Sequence, residues 1–218
     1  MNLTRRTFMS GMAAATLAGN GVNAQQPDTP PASPADALQR LVDGNRRFAA
    51  NQITSIEHDL KLLKEHTVDK QEPFAAVLSC ADSRVPVELV FDQTIGHIFV
   101  TRVAGNIINS EIIGSLEYGA AVLGVKVLLV MGHANCGAVK AAIAKTPVPG
   151  QIASLYPHLQ QAVEQGGGSL EATIKKNAII QANLLSKTST VLAPLVADGK
   201  LKIQAAYYNV ANGEVSLL

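Results

Sequence analysis

The sequence is poor in several features that would mark particular classes of protein. It has 218 residues, no tryptophan and only two cysteines, and charged residues make up 16% of it. No apolar run approaches the roughly 20 residues that a membrane-spanning helix needs. The formal net charge of +1 shows no basic excess, which argues against nucleic acid as a partner. With 47% hydrophobic residues, the chain instead predicts a compact domain with a sizeable core.

The N-terminus has the sequence of an export signal. Arg5 and Arg6 precede a mildly apolar run over 9–22, and Val22-Asn23-Ala24 resembles a small-residue cleavage site. The arginine pair favours the twin-arginine export route over an ordinary secretory signal or a fraying terminus. We therefore predict a signal peptide over 1–24 and a periplasmic location for the mature chain.

After the signal, a proline-rich linker over 25–34 leads into one predicted domain over 35–218. Ser33 and Asp36 are placed to cap the first helix, which forms an N-terminal arm. Later segments alternate between buried-strand and helical patterns. Strands are predicted over 74–79, 98–103, 126–131 and 202–208, and helices over 61–66, 88–91, 106–124, 155–165 and 170–195. This alternation predicts an α/β fold with a mostly parallel central β-sheet flanked by helices.

Both cysteines lie in short polar segments that directly follow predicted strands. Cys80, Asp82 and Arg84 come after the first strand, and His133 and Cys136 come after the third. In α/β sheets, ligands bind at the carboxyl ends of the strands. Two thiols and an imidazole would supply three of the four ligands of a tetrahedral zinc and leave one position open. In an extended chain, moreover, Cys80, Asp82 and Arg84 would share one face.

The Asp82–Arg84 pair has a natural role beside such a metal. Two thiolates neutralise the charge of Zn²⁺, so a bound water should ionise above the pH of roughly 7 typical of a three-histidine site. Asp82 can accept a hydrogen bond from that water, and Arg84 can hold the Asp82 carboxylate ionised and off the metal. If Arg84 released it, Asp82 would become the fourth ligand and close the site.

Simpler interpretations exist for each of these residues. Asp82 and Arg84 would form a structural salt bridge at a strand end, and His133 would bond only to the backbone. Cys80 and Cys136 would then form a disulfide, which is common in exported proteins.

The segments 80–84 and 133–137 resemble the Cys-x-Asp-Ser-Arg and His-x-x-Cys-Gly motifs of the β-class carbonic anhydrases. The similarity runs from the helix over 41–48 to the strand that ends at Tyr208. It implies a zinc enzyme that reversibly hydrates carbon dioxide to bicarbonate and a proton by means of a zinc-bound hydroxide. The site implied by the resemblance has one Zn²⁺ per subunit bound by Cys80, His133 and Cys136, with Asp82 and Arg84 as the catalytic pair.

The resemblance also implies substrate contacts outside the two motif segments. Gln71 matches a glutamine that donates a hydrogen bond to bound substrate, and the Gly137 amide would lie near the substrate oxygen. Phe99 and Tyr118 fall where the family lines a small apolar pocket, although plain core packing explains these two residues equally well. Arg102 matches an arginine that some members use, beside a tryptophan, to bind inhibitory bicarbonate, and this chain has no tryptophan.

Members of the family form dimers that often pair into tetramers, so the resemblance implies a homodimer or homotetramer. In the family the N-terminal helix lies over a neighbouring subunit. The apolar face of the first helix is compatible with that arrangement, and it consists of Leu38, Leu41, Val42 and Phe48.

Two other functions are open from the sequence. Related folds hydrolyse carbonyl sulfide or carbon disulfide, linear molecules like carbon dioxide, and only the shape of the pocket separates these activities. A non-enzymatic alternative is an exported binding protein stabilised by a Cys80–Cys136 disulfide. That alternative gives no role to four residues, Gln71, Asp82, Arg84 and His133.

Overall fold

The computed structural model describes residues 29–54 and 67–218. The predicted export signal, residues 25–28 of the predicted linker and the helix predicted over 61–66 lie outside these residues. Within the described ranges, no helix combines the length and apolar character that a bilayer crossing requires.

Seven α-helices and five strands make up the described fold. The helices are α1 (Pro34–Ala49), α2 (Val87–Val90), α3 (Ser110–Ala121), α4 (Gly137–Ile143), α5 (Tyr156–Gln165), α6 (Leu170–Thr188) and α7 (Leu192–Ala197). The strands are β1 (Ala75–Ser79), β2 (Ile98–Arg102), β3 (Val127–His133), β4 (Lys202–Tyr208) and β5 (Val215–Leu217). Short 3₁₀ turns cover Ala104–Asn106 and Gly150–Leu155.

The strands form one sheet in the order β2-β1-β3-β4-β5. The first four strands are parallel, and β5 closes the edge as an antiparallel hairpin with β4. Every residue of β1 and β3 is buried, as expected of central strands covered on both faces. The predicted α/β fold with a mostly parallel sheet is therefore confirmed.

A hydrophobic core lies on each face of the sheet. On one face, α1 packs Leu38 and Leu41 against β-strand residues, with Phe48 alongside. On the other face, α3, α6 and α7 cover the sheet. Three residues of the predicted apolar face of α1 thus pack on the chain's own sheet, and Phe48 among them is only partly buried. The start of α1 is as predicted, because Ser33 and Asp36 form a reciprocal capping box.

Two helix predictions were wrong at their boundaries. The helix predicted over 170–195 is interrupted at Ser189, whose hydroxyl accepts hydrogen bonds from the amides of Val191 and Leu192 and starts α7. The helix predicted over 106–124 begins only at Ser110, because Asn109 caps it and the preceding residues form a 3₁₀ turn. Local side-chain hydrogen bonds replaced helix propagation in both places.

Candidate metal centre

The carboxyl ends of β1 and β3 bring together the three predicted zinc ligands. Cys80 directly follows β1, His133 is the last residue of β3, and Cys136 lies just before α4. Ser79 pairs with Met131 in the parallel register, so the two chain segments leave the sheet side by side. The sulfur atoms of the two cysteines and a ring nitrogen of His133 all lie within 4.8 Å of one another. Each of the three residues is at least 95% buried.

Both cysteines are free thiols. Their Sγ atoms lie 4.0 Å apart, whereas a disulfide bond is about 2.05 Å long. The disulfide that the non-enzymatic alternative requires is therefore not present in the structure.

The imidazole of His133 is oriented as a metal ligand requires. Its Nδ1 lies 3.0 Å from the Ala134 carbonyl oxygen, and because a carbonyl only accepts, Nδ1 carries the proton. This tautomer leaves an unprotonated lone pair on Nε2. That nitrogen is buried and has no hydrogen-bond partner among the described residues. A buried polar atom without a partner is costly, and a metal ion between Nε2 and the two sulfurs would remove that cost.

The two thiols interact through a hydrogen bond, with their Sγ atoms 4.0 Å apart. A hydrogen bond from the Cys136 thiol lowers the pKa of Cys80 to about 4, against the opposing effect of burial. The pKa of Cys136 is raised, first by this same hydrogen bond and then by burial. A helix start favours a thiolate, because its backbone amides carry partial positive charge. The amides of Ala138 and Val139 do lower the pKa of Cys136, but the bond to Cys80 outweighs them. The hydrogen bond between the two sulfurs is thus the largest influence on the pKa of each thiol.

Asp82 and Arg84 form the predicted bidentate pair, but by a different backbone geometry. Arg84 donates from Nε to Asp82 Oδ1 at 3.0 Å and from Nη2 to Oδ2 at 2.8 Å, and its backbone amide also donates to Oδ1. The chain turns after Cys80 instead of staying extended, so the prediction that the three residues share a strand face was wrong. The hydrogen bonds from Arg84 hold the pKa of Asp82 well below its usual range.

The Asp82 carboxylate faces the metal centre without joining the group of three ligands. Its Oδ2 lies 3.9 Å from His133 Nε2, which is beyond hydrogen-bonding distance. Both carboxylate oxygens are already occupied by Arg84. This arrangement agrees with an Asp82 that lies next to the open position and is kept off the metal.

Two residues support the loop that carries Cys80 and Asp82, and the sequence had not assigned this role to either. Arg102, the last residue of β2, donates to the backbone carbonyls of Cys80 and Asp82. The backbone amide of Gly105 donates to the Cys80 sulfur at 3.4 Å. The position of Arg102 was the available signal, because it ends the strand adjacent to β1 and pairs with Ser79.

The structure brings only one of the four predicted substrate contacts to the metal centre. Gly137 begins α4 immediately after Cys136 and is exposed. Gln71 is also exposed, but it precedes β1 and so lies at the opposite end of that strand from Cys80. Phe99 and Tyr118 contact each other, with ring centroids 6.3 Å apart. Phe99 pairs with Ala76 at the start of β1, away from the metal centre.

Comparisons with known proteins give a consistent result. A family model described as carbonic anhydrase matches residues 75–215. Carbonic anhydrase 2 of Mycobacterium tuberculosis is 32% identical over 200 residues, covering 86% of this chain and 94% of that protein. The carbonic anhydrase of Mycolicibacterium smegmatis is 34% identical over 199 residues, covering 86% and 95%.

Solved structures show the same fold. The Coccomyxa β-carbonic anhydrase, solved in complex with acetazolamide, superposes with a TM-score of 0.66 at 26% identity and covers 83% of this chain and 86% of that one. One of two tetrameric β-carbonic anhydrases from Sordaria macrospora gives a TM-score of 0.67 at 18% identity, with 84% and 97% covered.

Proposed function

The chain belongs to the β-class carbonic anhydrases, and from that premise we propose that it binds one Zn²⁺ per subunit through Cys80, His133 and Cys136. The reaction general to the family is the reversible hydration of carbon dioxide. One arrangement carries the assignment of the metal: a ring nitrogen of buried His133 lies within 4.8 Å of two sulfur atoms, and Nε2 of this residue has no hydrogen-bond partner among the described residues. Two cysteines and one histidine with a fourth position open are a catalytic type of zinc site.

Zinc held there would supply a Lewis acid that lowers the pKa of a water in the open position, to a value above the roughly 7 of a three-histidine site. Asp82 is the group that orients this water. Because Arg84 lowers the pKa of Asp82, the carboxylate is ionised and can only accept a hydrogen bond. It therefore fixes the direction of the water proton and leaves a lone pair of the oxygen free to face carbon dioxide. The proton that the reaction releases passes to solvent buffer.

Arg84 acts through Asp82. It spans the carboxylate with two parallel hydrogen bonds, and its Nη2 also lies 3.3 Å from the carbonyl oxygen of Asn135 in the loop between His133 and Cys136. Arg84 thereby links the two polar segments of the site. Loss of this link would allow Asp82 to turn towards the metal as a fourth ligand.

The substrate contacts divide into two groups. The exposed Gly137 amide at the start of α4 is close enough to Cys136 to donate to a substrate oxygen of the same subunit. The second group lies away from the metal centre of its own chain and consists of Gln71, Phe99 and Tyr118. We propose that these residues contact substrate at the metal centre of a second subunit. A homodimer is then the smallest complete enzyme, and a tetramer of two dimers is equally compatible.

We also propose that Arg5 and Arg6 direct export to the periplasm through a signal over 1–24. The paired arginines ahead of an apolar run support this location. Replacing both with lysine should retain the protein in the cytoplasm of the producing cell, as cell fractionation would show. Unchanged export of that variant would contradict the twin-arginine route.

The central experiment is stopped-flow hydration of carbon dioxide by the zinc-loaded protein. We expect Asp82→Ala to lower kcat/KM by about 100-fold or more, the range for loss of a residue that positions a reacting proton. Asp198→Ala is a matched control, because Asp198 forms an exposed pair with Lys200 at the same two-residue spacing. Full activity of Asp82→Ala would refute the mechanism, and faster turnover of carbonyl sulfide than of carbon dioxide would redirect the substrate assignment.

A further inference from the structure

The 3₁₀ turn over Ala104–Asn106 has an unfavourable backbone conformation. Gly105 has φ of 76°, and the next residue, Asn106, has φ of 42°. Two consecutive residues in the left-handed region are uncommon, and for Asn106 the conformation is strained. Such a turn persists only where surrounding contacts hold it.

Two buried amide side chains on α6 bind this turn and the segment that directly follows it. Asn177 donates from Nδ2 to the Gly105 carbonyl oxygen at 2.8 Å, and Gln181 accepts from the Ile108 amide at 3.1 Å. Gln181 also donates from Nε2 to Asn177 Oδ1 at 3.0 Å and to the His158 carbonyl oxygen. Asn177 is fully buried and Gln181 is 1% exposed. The two residues are four positions apart, so they lie on one face of the helix.

The turn donates a hydrogen bond to the metal centre. With Gly105 in this conformation, its amide donates to the Cys80 sulfur at 3.4 Å. We propose that Asn177 and Gln181 are positioning residues of the metal centre, which act by fixing the Gly105 amide against Cys80 Sγ. This inference rests on the proposed zinc-binding function of Cys80.

The chemical consequence follows from the charge on sulfur. An N–H group that donates to a thiolate draws electron density from it, so the sulfur neutralises less of the metal charge. It also fixes the direction of the sulfur lone pairs. In a site with two thiolates, this hydrogen bond should preserve part of the Lewis acidity that the second thiolate would otherwise remove.

The test uses the full chain loaded with Zn²⁺ and, in parallel, with Co²⁺, whose thiolate-to-metal charge-transfer band reports on sulfur. We expect Asn177→Ala to weaken zinc binding by about 10- to 100-fold in chelator competition, the typical effect of removing such a supporting hydrogen bond. The charge-transfer band should move to longer wavelength, because a thiolate without the N–H donor gives up an electron more easily. Gln181→Met, which keeps the side-chain volume, should shift both readouts in the same direction by less.

Thr173→Ala is the matched control. Thr173 is also fully buried on α6, one turn before Asn177, and its hydroxyl donates only to the Ser169 carbonyl within the helix start. This variant should leave the zinc affinity and the cobalt spectrum unchanged, even if it lowers thermal stability.

Three outcomes would overturn the inference. If the Asn177 and Gln181 variants both kept the wild-type zinc affinity and cobalt spectrum, the hydrogen bonds of these two amides would serve only the stability of the fold. Equal changes in Thr173→Ala would attribute the effect to general destabilisation of α6. A wild-type protein that binds neither metal would refute the proposed zinc function itself, and it would do so before any variant is compared.

Discussion

The Asp82 carboxylate accepts three hydrogen bonds from one neighbour. The backbone amide, Nε and Nη2 of Arg84 all donate to it, at 2.9, 3.0 and 2.8 Å. Short bidentate contacts of this kind stabilise the ionised carboxylate more than the neutral acid. The low pKa of Asp82 therefore reports how firmly Arg84 holds it.

These hydrogen bonds predict that the wild type and Arg84→Ala differ in their free energy of unfolding, and that the difference depends on pH. The folded-state pKa of Asp82 lies below its unfolded value of roughly 3.9, so the pair stabilises the fold above about pH 4. The stabilisation is lost as the pH falls further, towards the lowered pKa. In urea denaturation of the zinc-free protein, the variant should be less stable at pH 7, with the gap narrowing as the pH falls below 4.

Lys200→Ala is the control for this measurement, because it breaks the exposed Asp198–Lys200 pair, which solvent screens. It should produce a smaller gap at pH 7 than Arg84→Ala does. A gap for Arg84→Ala that is constant from pH 7 to pH 2 would contradict the low pKa of Asp82.

The residues of the metal centre could be predicted because each one lies at the carboxyl end of a buried strand or in the loop that follows it. Parallel strands bring their carboxyl ends to one edge, so Cys80 and His133 had to lie close together. Asn177 and Gln181 were missed, because they reach the site from a helix about one hundred residues after Cys80. Their only signal is a pair of amides at helical spacing on a buried face, and that pattern says nothing about what the amides bond to.

At the scale of elements, α1 is held against the domain by a close backbone contact. A Cβ atom built on Gly44 would lie 1.8 Å from the Phe91 carbonyl oxygen, at the end of α2. The neighbouring Asn45 donates to the carbonyls of Val90 and Gly213 and accepts from the Val215 amide. The helix thus connects α2 to the β4–β5 hairpin.

Gly44→Ala should therefore be strongly destabilising. The clashing atom is backbone, so α1 or α2 must move, and we expect a loss of about 3 kcal/mol in the free energy of unfolding, at the upper end for overpacking. Urea denaturation followed by circular dichroism would measure it.

Gly114→Ala is the matched substitution in α3, where a new Cβ meets nothing within 4 Å. It should stabilise the protein by about 0.5–1 kcal/mol, because alanine has the higher helix propensity. If Gly44→Ala were as stable as Gly114→Ala, the close approach of α1 to α2 would not contribute to the stability of the fold.

Element types were easier to predict than element ends. The apolar runs of β1 and β3 identify buried strands whatever surrounds them. The break between α6 and α7 depends on the Ser189 hydroxyl, which caps α7 and also donates to Glu117 on α3. Glu117 lies far from Ser189 in the sequence, so the helix propensity of the segment over 170–195 alone predicted an unbroken helix.

At the scale of the whole molecule, one chain does not assemble every residue that the family resemblance implies. Gln71 lies before β1 and Cys80 lies after it, and at about 3.3 Å per residue the intervening strand separates them by roughly 20 Å. Tyr118 is 47% exposed on the β2 side of the sheet. If these residues contact substrate, a second subunit must present them to the first.

Mixing two defective variants tests this directly. Gln71→Ala keeps the metal ligands and loses the substrate contact, whereas Cys80→Ser keeps Gln71 and loses a ligand. In a mixed dimer with a shared site, the Gln71→Ala subunit retains its metal and receives Gln71 from its partner, so one of the two sites is complete. Equal mixing after dissociation and reassembly should restore up to about a quarter of wild-type carbon dioxide hydration, since half of randomly formed dimers are mixed. If Gln71 served its own chain, each site of a mixed dimer would lack either the Cys80 ligand or Gln71. The activity of the mixture would then stay at the average of the two variants.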